Sequence, residues 1–113
     1  MNGTLCRIDE VEDPGAKGFS VAGNEGLQEI FVVRTGNSVN AYVNSCPHIG
    51  TPLEFRPNRF LTQDGREILC STHGARFEIA TGHCIAGPCR GLGLRRIPVT
   101  VVGDWIRFDD PTN

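Results

Sequence analysis

Two short segments constrain this chain more than any other: Cys46-Pro47-His48 and Cys70-Ser71-Thr72-His73-Gly74. Each offers one thiol and one imidazole, and each has Gly or Pro close by. Ligands in the order C-x-H … C-x2-H suit a two-iron, two-sulfide cluster, with two thiolates on one iron and two imidazoles on the other. A centre of that kind would pin two separate loops together. In a small domain with a modest core, such a tie matters for stability.

The mixed ligand set has an electrostatic consequence. A thiolate carries a full negative charge and a neutral imidazole carries none. On a diferric core with two bridging sulfides, of charge about +2, four thiolates leave about −2, whereas two thiolates and two imidazoles leave roughly zero. Adding an electron to a neutral site costs less than adding one to a dianion, most of all where screening is poor. Such centres fall at roughly −150 to +300 mV, against about −400 mV for plant-type four-thiolate ferredoxins. The second imidazole nitrogen, if it faces solvent, is a short electron route, and its pKa falls when the iron is oxidised.

Neighbouring residues fit this reading. Pro47 stiffens the first loop, and Gly50 and Gly74 allow tight turns in which amides approach sulfur. Two other readings of the same residues stand beside it. Zinc also takes Cys2His2, although its ligand pairs more often read C-x2-4-C and H-x3-5-H than Cys mixed with His. Chance is the second: buried cysteines and solvated histidines with no metal at all.

At these residues the chain resembles the Rieske iron–sulfur family. The first box reads Cys46-Pro47-His48-Ile49-Gly50-Thr51-Pro52-Leu53 and the second Cys70-Ser71-Thr72-His73-Gly74-Ala75-Arg76-Phe77, followed by a Thr81-Gly82 turn. Gly87-Pro88-Cys89 stands where such proteins carry a proline loop over the cluster. The resemblance implies one [2Fe-2S] cluster ligated by Cys46, His48, Cys70 and His73, with Gly50, Gly74 and Pro88 around it. It also shows departures. Thr51 and Thr72 stand where high-potential members form a disulfide between the ligand loops, and Ala75 and Phe77 stand where those members place Ser and Tyr hydroxyls near the sulfurs. Fewer hydrogen bonds to sulfur stabilise less charge on the reduced cluster, which implies the lower-potential type.

At 113 residues the chain is expected to be a single domain, with a cluster-binding lobe at about 44–91 and basal strands at about 4–43 and 92–109. The net charge of −2 argues against nucleic acid and against an anionic membrane surface. No apolar run has the length of a membrane span, and the start does not read as a signal peptide, so a cytoplasmic protein is expected. Two of the five cysteines are proposed ligands, leaving Cys6, Cys84 and Cys89. A Cys84–Cys89 pair is conceivable from spacing, but buried free thiols are the simpler expectation.

No segment keeps a helical period. Candidate strands cover 4–8, 28–34, 39–43, 67–70, 76–79, 94–102 and 105–108, separated by turns at Asp13-Pro14-Gly15, Gly36-Asn37, Thr81-Gly82 and Gly103-Asp104. Asp64-Gly65 predicts a hairpin feeding into Cys70. A short helix is allowed at 9–13 or 56–60. The expected fold is all-β: small antiparallel sheets, a basal sandwich or barrel, and an inserted cluster-binding lobe. Trp105 is expected in the core and His83 at the surface, while Arg76, Arg90, Arg95 and Arg96 read as solvated strand faces or as a basic rim for an acidic partner. Ile49, Pro52 and Pro88 are the candidates for shielding the centre from water.

The resulting expectation is a soluble, monomeric one-electron carrier between a flavin-containing reductase and a terminal oxygenase. His83 alone cannot complete a two-histidine, one-carboxylate iron site, so the chain would not itself convert a substrate. The alternatives are a small fixed subunit of a larger redox enzyme resembling nitrite reductase, and a zinc-stabilised interaction module.

Overall fold

Ile30-Phe31-Val32-Val33 is apolar at every position, so a strand through it must be covered on both faces. A computed structural model shows how, describing residues 3–23, 26–47, 50–54, 56, 58–71, 74–89 and 91–108. Among these residues run ten strands: β1 (Gly3–Arg7), β2 (Gly15–Gly23), β3 (Gly26–Thr35), β4 (Ser38–Val43), β5 (Glu67–Leu69), β6 (Arg76–Glu78), β7 (Cys84–Ala86), β8 (Arg96–Ile97), β9 (Val99–Val102) and β10 (Trp105–Phe108). They form three antiparallel sheets in the orders β1-β10-β9, β2-β3-β4-β8 and β5-β6-β7. The all-β expectation holds.

The four-stranded sheet divides the interior. Phe31 pairs with Tyr42 and Val32 with Ala41, so each pair shares a face. Phe31, Val33 and Tyr42 pack with Leu53, Phe60, Ile68 and Phe77, which come from the β5-β6-β7 sheet and the loops around it. Phe60 stacks on Phe31 with ring centroids 4.3 Å apart and planes 5° from parallel. On the opposite face Val32 and Ala41 meet Cys6, Ile8, Val11 and Ile106. The apolar run of β3 thus serves two cores at once.

Several strands fall where the pattern placed them, and the departures have local causes. The run 94–102 breaks into β8 and β9 at Pro98, which has no N–H for a sheet ladder. β2 gives no alternation signal because its Gly15, Gly18 and Gly23 dilute the pattern; pairing along β3 from Gly15↔Arg34 to Gly23↔Gly26 makes it a strand. Trp105 is 43% exposed rather than core. Ile106, its neighbour on β10, takes the inward position, and the Arg7 guanidinium lies over the indole at 5.2 Å. The hairpin before Cys70 is wider than a two-residue turn: Thr62 N–H donates to Glu67 O, and one bridge joins Leu61 to Ile68. Asp64 accepts from the Thr62 hydroxyl and from Arg66 N–H, which holds its carboxyl below the ordinary carboxylate range. The helix allowed at 9–13 is a 3-10 turn at Ile8–Glu10, and in the 56–60 stretch Arg59 N–H donates to Arg56 O.

Tyr42 joins the middle sheet to the end of β6, its hydroxyl donating to Ile79 O. Burial pushes its phenol above the ordinary value. A raised pKa means stability that is complete below the unfolded value of about 10 and lost as pH climbs through the folded one. Tyr42→Phe should cost about 1–2 kcal/mol near neutrality by orphaning the Ile79 carbonyl. The gap to wild type should then narrow as pH rises past the unfolded value of about 10. Urea unfolding at both pH values checks this, and a constant gap would contradict it.

Candidate metal centre

Both proposed cysteine ligands head loops of the same build. After β4, Cys46 N–H donates to Thr51 O at 2.8 Å and Gly50 N–H returns to Cys46 O at 2.7 Å. After β5, Cys70 N–H donates to Ala75 O at 2.8 Å and Gly74 N–H returns to Cys70 O at 2.8 Å. In each loop a glycine four residues after the cysteine has positive φ, 79° at Gly50 and 73° at Gly74. Positive φ is costly for residues with a Cβ, so the spacing C-x3-G belongs to the loop geometry.

The two loops are fastened to each other. Ser71 N–H donates to Leu53 O at 2.8 Å, joining the second loop to the end of the first. Leu53 N–H donates in turn to Asn44 Oδ1 at 2.8 Å, and the Asn44 amide donates to Glu54 at 2.9 Å. Asn44 itself is anchored to the middle sheet through Glu29 O. Sequence reading missed Asn44; its only signal is an amide side chain two residues before a ligand candidate.

Cys46 and Cys70 are fully buried and belong to one apolar cluster with Leu53, Ala75, Phe77 and Cys89. His48, His73 and Ile49 lie outside the described residues, as do Thr72 and Arg90. Among the described residues no three potential metal ligands converge, so the two cysteines are the described half of the proposed set. The cysteine half fits the cluster. Two buried thiols at the mouths of matching loops are the donors that iron–sulfide chemistry asks for. In the first loop Thr51 Oγ1 is buried without a hydrogen-bond partner among the described residues, which marks a polar position left open beside the ligand candidate.

The remaining candidates separate clearly. All five cysteines are buried, and none is in a disulfide. Cys84 Sγ donates to Ala86 O at 3.2 Å, while Cys89 Sγ lies 3.6 Å from Cys46 Sγ, so Cys84 and Cys89 have different neighbours. Pro52, Pro88 and His83 are exposed. Arg76 pairs with Glu67 at 3.0 Å, and Arg96 donates to Ala80 O and Asn40, so both have partners within the chain. Arg95 is exposed. Exposed apolar residues flank the proline turn: Ile85 at 42% and Leu92 at 48%.

Comparison with known proteins adds the following. The sequence profile described as Rieske [2Fe-2S] domain matches residues 2–98. The "p-cumate 2,3-dioxygenase system, ferredoxin component" of Pseudomonas putida is 52% identical over 46 residues, which span 41% of this chain and only 38% of that relative. The ferredoxin of carbazole 1,9a-dioxygenase from Nocardioides aromaticivorans IC177 is 30% identical with a TM-score of 0.76, covering 96% of both chains. The ferredoxin of Sphingomonas yanoikuyae B1 is 30% identical with a TM-score of 0.72, covering 98% of this chain and all of that one.

Proposed function

Because this chain belongs to the Rieske [2Fe-2S] domain family, whose cofactor is a [2Fe-2S] cluster, we propose that it is a one-electron carrier with Cys46, His48, Cys70 and His73 as ligands. The bound cluster supplies a single one-electron couple, and the chain's own residues do the rest. Leu53, Ala75 and Phe77 exclude water around the cysteine side. The Asn44–Leu53–Ser71 hydrogen bonds hold the two loops in register. Segment 44–91 is the cluster lobe in this reading, and the strands on either side form its base.

The observation that carries the role is the likeness to two ferredoxins, each at 30% identity over nearly the whole of both chains. The donor would be a flavin-containing reductase and the acceptor a terminal oxygenase, in keeping with a relative described as the ferredoxin component of a dioxygenase system. Partners would meet the protein in a small, transient contact at the proline turn, where Pro88, Ile85 and Leu92 are exposed. Among the described residues no helix is long and apolar enough to cross a membrane. A cytoplasmic, monomeric carrier is part of the same reading. Ala75 and Phe77 offer no hydroxyl, which supports a potential in the lower part of the range for such centres.

The test is direct. Anaerobically purified protein should be red-brown, contain iron and acid-labile sulfide in equal amounts, and give a Rieske-type paramagnetic signal on reduction. It should also pass electrons from a reductase to an oxygenase of the same source, at a rate that falls when the carrier is left out. Colourless protein with stoichiometric zinc would favour the interaction module. A chain that purifies only within a larger enzyme would favour the fixed subunit.

A further inference from the structure

We propose that Cys89 is a tuning residue of the centre, its thiol donating a hydrogen bond to the sulfur of Cys46 and raising the reduction potential. The inference rests on Cys46 being a cluster ligand. Cys89 Sγ lies 3.6 Å from Cys46 Sγ, within hydrogen-bond reach for sulfur, and both residues are fully buried. In a pair of free thiols either sulfur can donate. A ligand sulfur is a thiolate without a proton, so with metal bound the donor must be Cys89.

The turn that carries Cys89 is held from two sides. Gly87 presses its backbone on the second ligand loop: a Cβ there would stand 2.7 Å from Ala75 Cα. Beyond the turn, Leu92 N–H closes on Cys89 O at 2.8 Å. Cys89 therefore faces the first loop while Gly87 abuts the second. The cysteine following Pro88 thus has a position set by backbone contacts.

The direction of the effect follows from charge. The added electron makes the ligand sulfurs more negative, and a donor facing one of them stabilises the reduced form more than the oxidised form. The Ser and Tyr hydroxyls that high-potential members offer are absent at Ala75 and Phe77. Cys89 supplies a weaker donor from a different part of the chain.

Redox titration of cluster-loaded wild type, Cys89→Ala and Cys89→Ser tests the proposal. The midpoint should fall in Cys89→Ala beyond the error of the titration, and Cys89→Ser should recover at least half of that fall, because its hydroxyl keeps a donor. A packing role alone would shift both variants alike, since both remove the sulfur. Equal midpoints in wild type and Cys89→Ala, or equal falls in both variants, overturn the proposal. Loss of iron from Cys89→Ala with full iron in Cys89→Ser overturns it too, because a donor outside the ligand set is dispensable for assembly. Wild type that assembles no cluster overturns the ligand reading and this inference together, whereas an unchanged midpoint in a loaded variant overturns this inference alone.

Discussion

Cys70→Ser and Cys46→Ser proteins are expected to purify without iron or acid-labile sulfide, while Cys6→Ser keeps the wild-type content. All three residues are buried cysteines outside any disulfide, so burial alone does not tell them apart. Their settings do. Cys6 lies between the first and middle sheets, among Ile8, Val11 and Ile106, whereas Cys46 and Cys70 head the matching glycine-closed loops. Removing a ligand thiolate takes away one of the two formal charges that balance the ferric core. It also releases a tie between loops, and metal binding in a small domain is folding free energy. The two ligand variants should therefore melt well below loaded wild type and close to wild type stripped of its cluster. Iron and sulfide analysis with thermal melts checks this. Full iron content in Cys70→Ser would remove Cys70 from the ligand set.

Phe31→Ala is expected to be the most damaging substitution away from the centre. Phe31 is fully buried in the middle sheet, stacked on Phe60 at 4.3 Å and tilted against Tyr42 at 5.9 Å. It joins the middle sheet to Leu53, Phe60, Ile68 and Phe77 of the segment that carries the candidate ligand loops. Truncating a buried Phe costs about 3–5 kcal/mol through lost transfer energy and the cavity left behind. Aromatic contacts of this kind add about 0.5–1.5 kcal/mol beyond area. Against a total stability of about 5–15 kcal/mol for a domain, that is a large fraction. Chemical denaturation of loaded protein should show the loss. Phe31→Leu, which keeps most of the volume, should cost clearly less. Equal costs for the two would mean that the loss comes from the ring contacts alone and that the cavity adds nothing.

Legibility differed from element to element. The ligand candidates were plain because thiols and imidazoles carry chemistry that few other residues supply, and their spacing survives in one dimension. β3 was plain because the four consecutive apolar residues Ile30, Phe31, Val32 and Val33 demand cover on two faces. β2 was not: with Gly at three of its nine positions, its strand character comes from pairing with β3 rather than from its own side chains. Trp105 was misplaced because a four-residue strand of large side chains does not reveal which alternate set faces inward; packing against Cys6 and Val32 gave that place to Ile106. Asn44 gave no signal beyond an amide side chain near Cys46, since its role depends on Leu53 folding back to it.

The amino-acid sequence by itself determined the candidate ligand types, their order, the glycines that let each loop close and the absence of hydroxyls at 75 and 77. These are properties of residue identity and near-neighbour spacing, and tertiary contacts do not alter them. Only the tertiary structure decided which of the remaining thiols stands beside a ligand candidate. Cys89 is five residues from Cys84 and far from Cys46 along the chain, yet its sulfur lies against that of Cys46. The reason is steric: backbone contact at Gly87 and burial against the first loop direct the side chain, and both arise only when distant segments share one core.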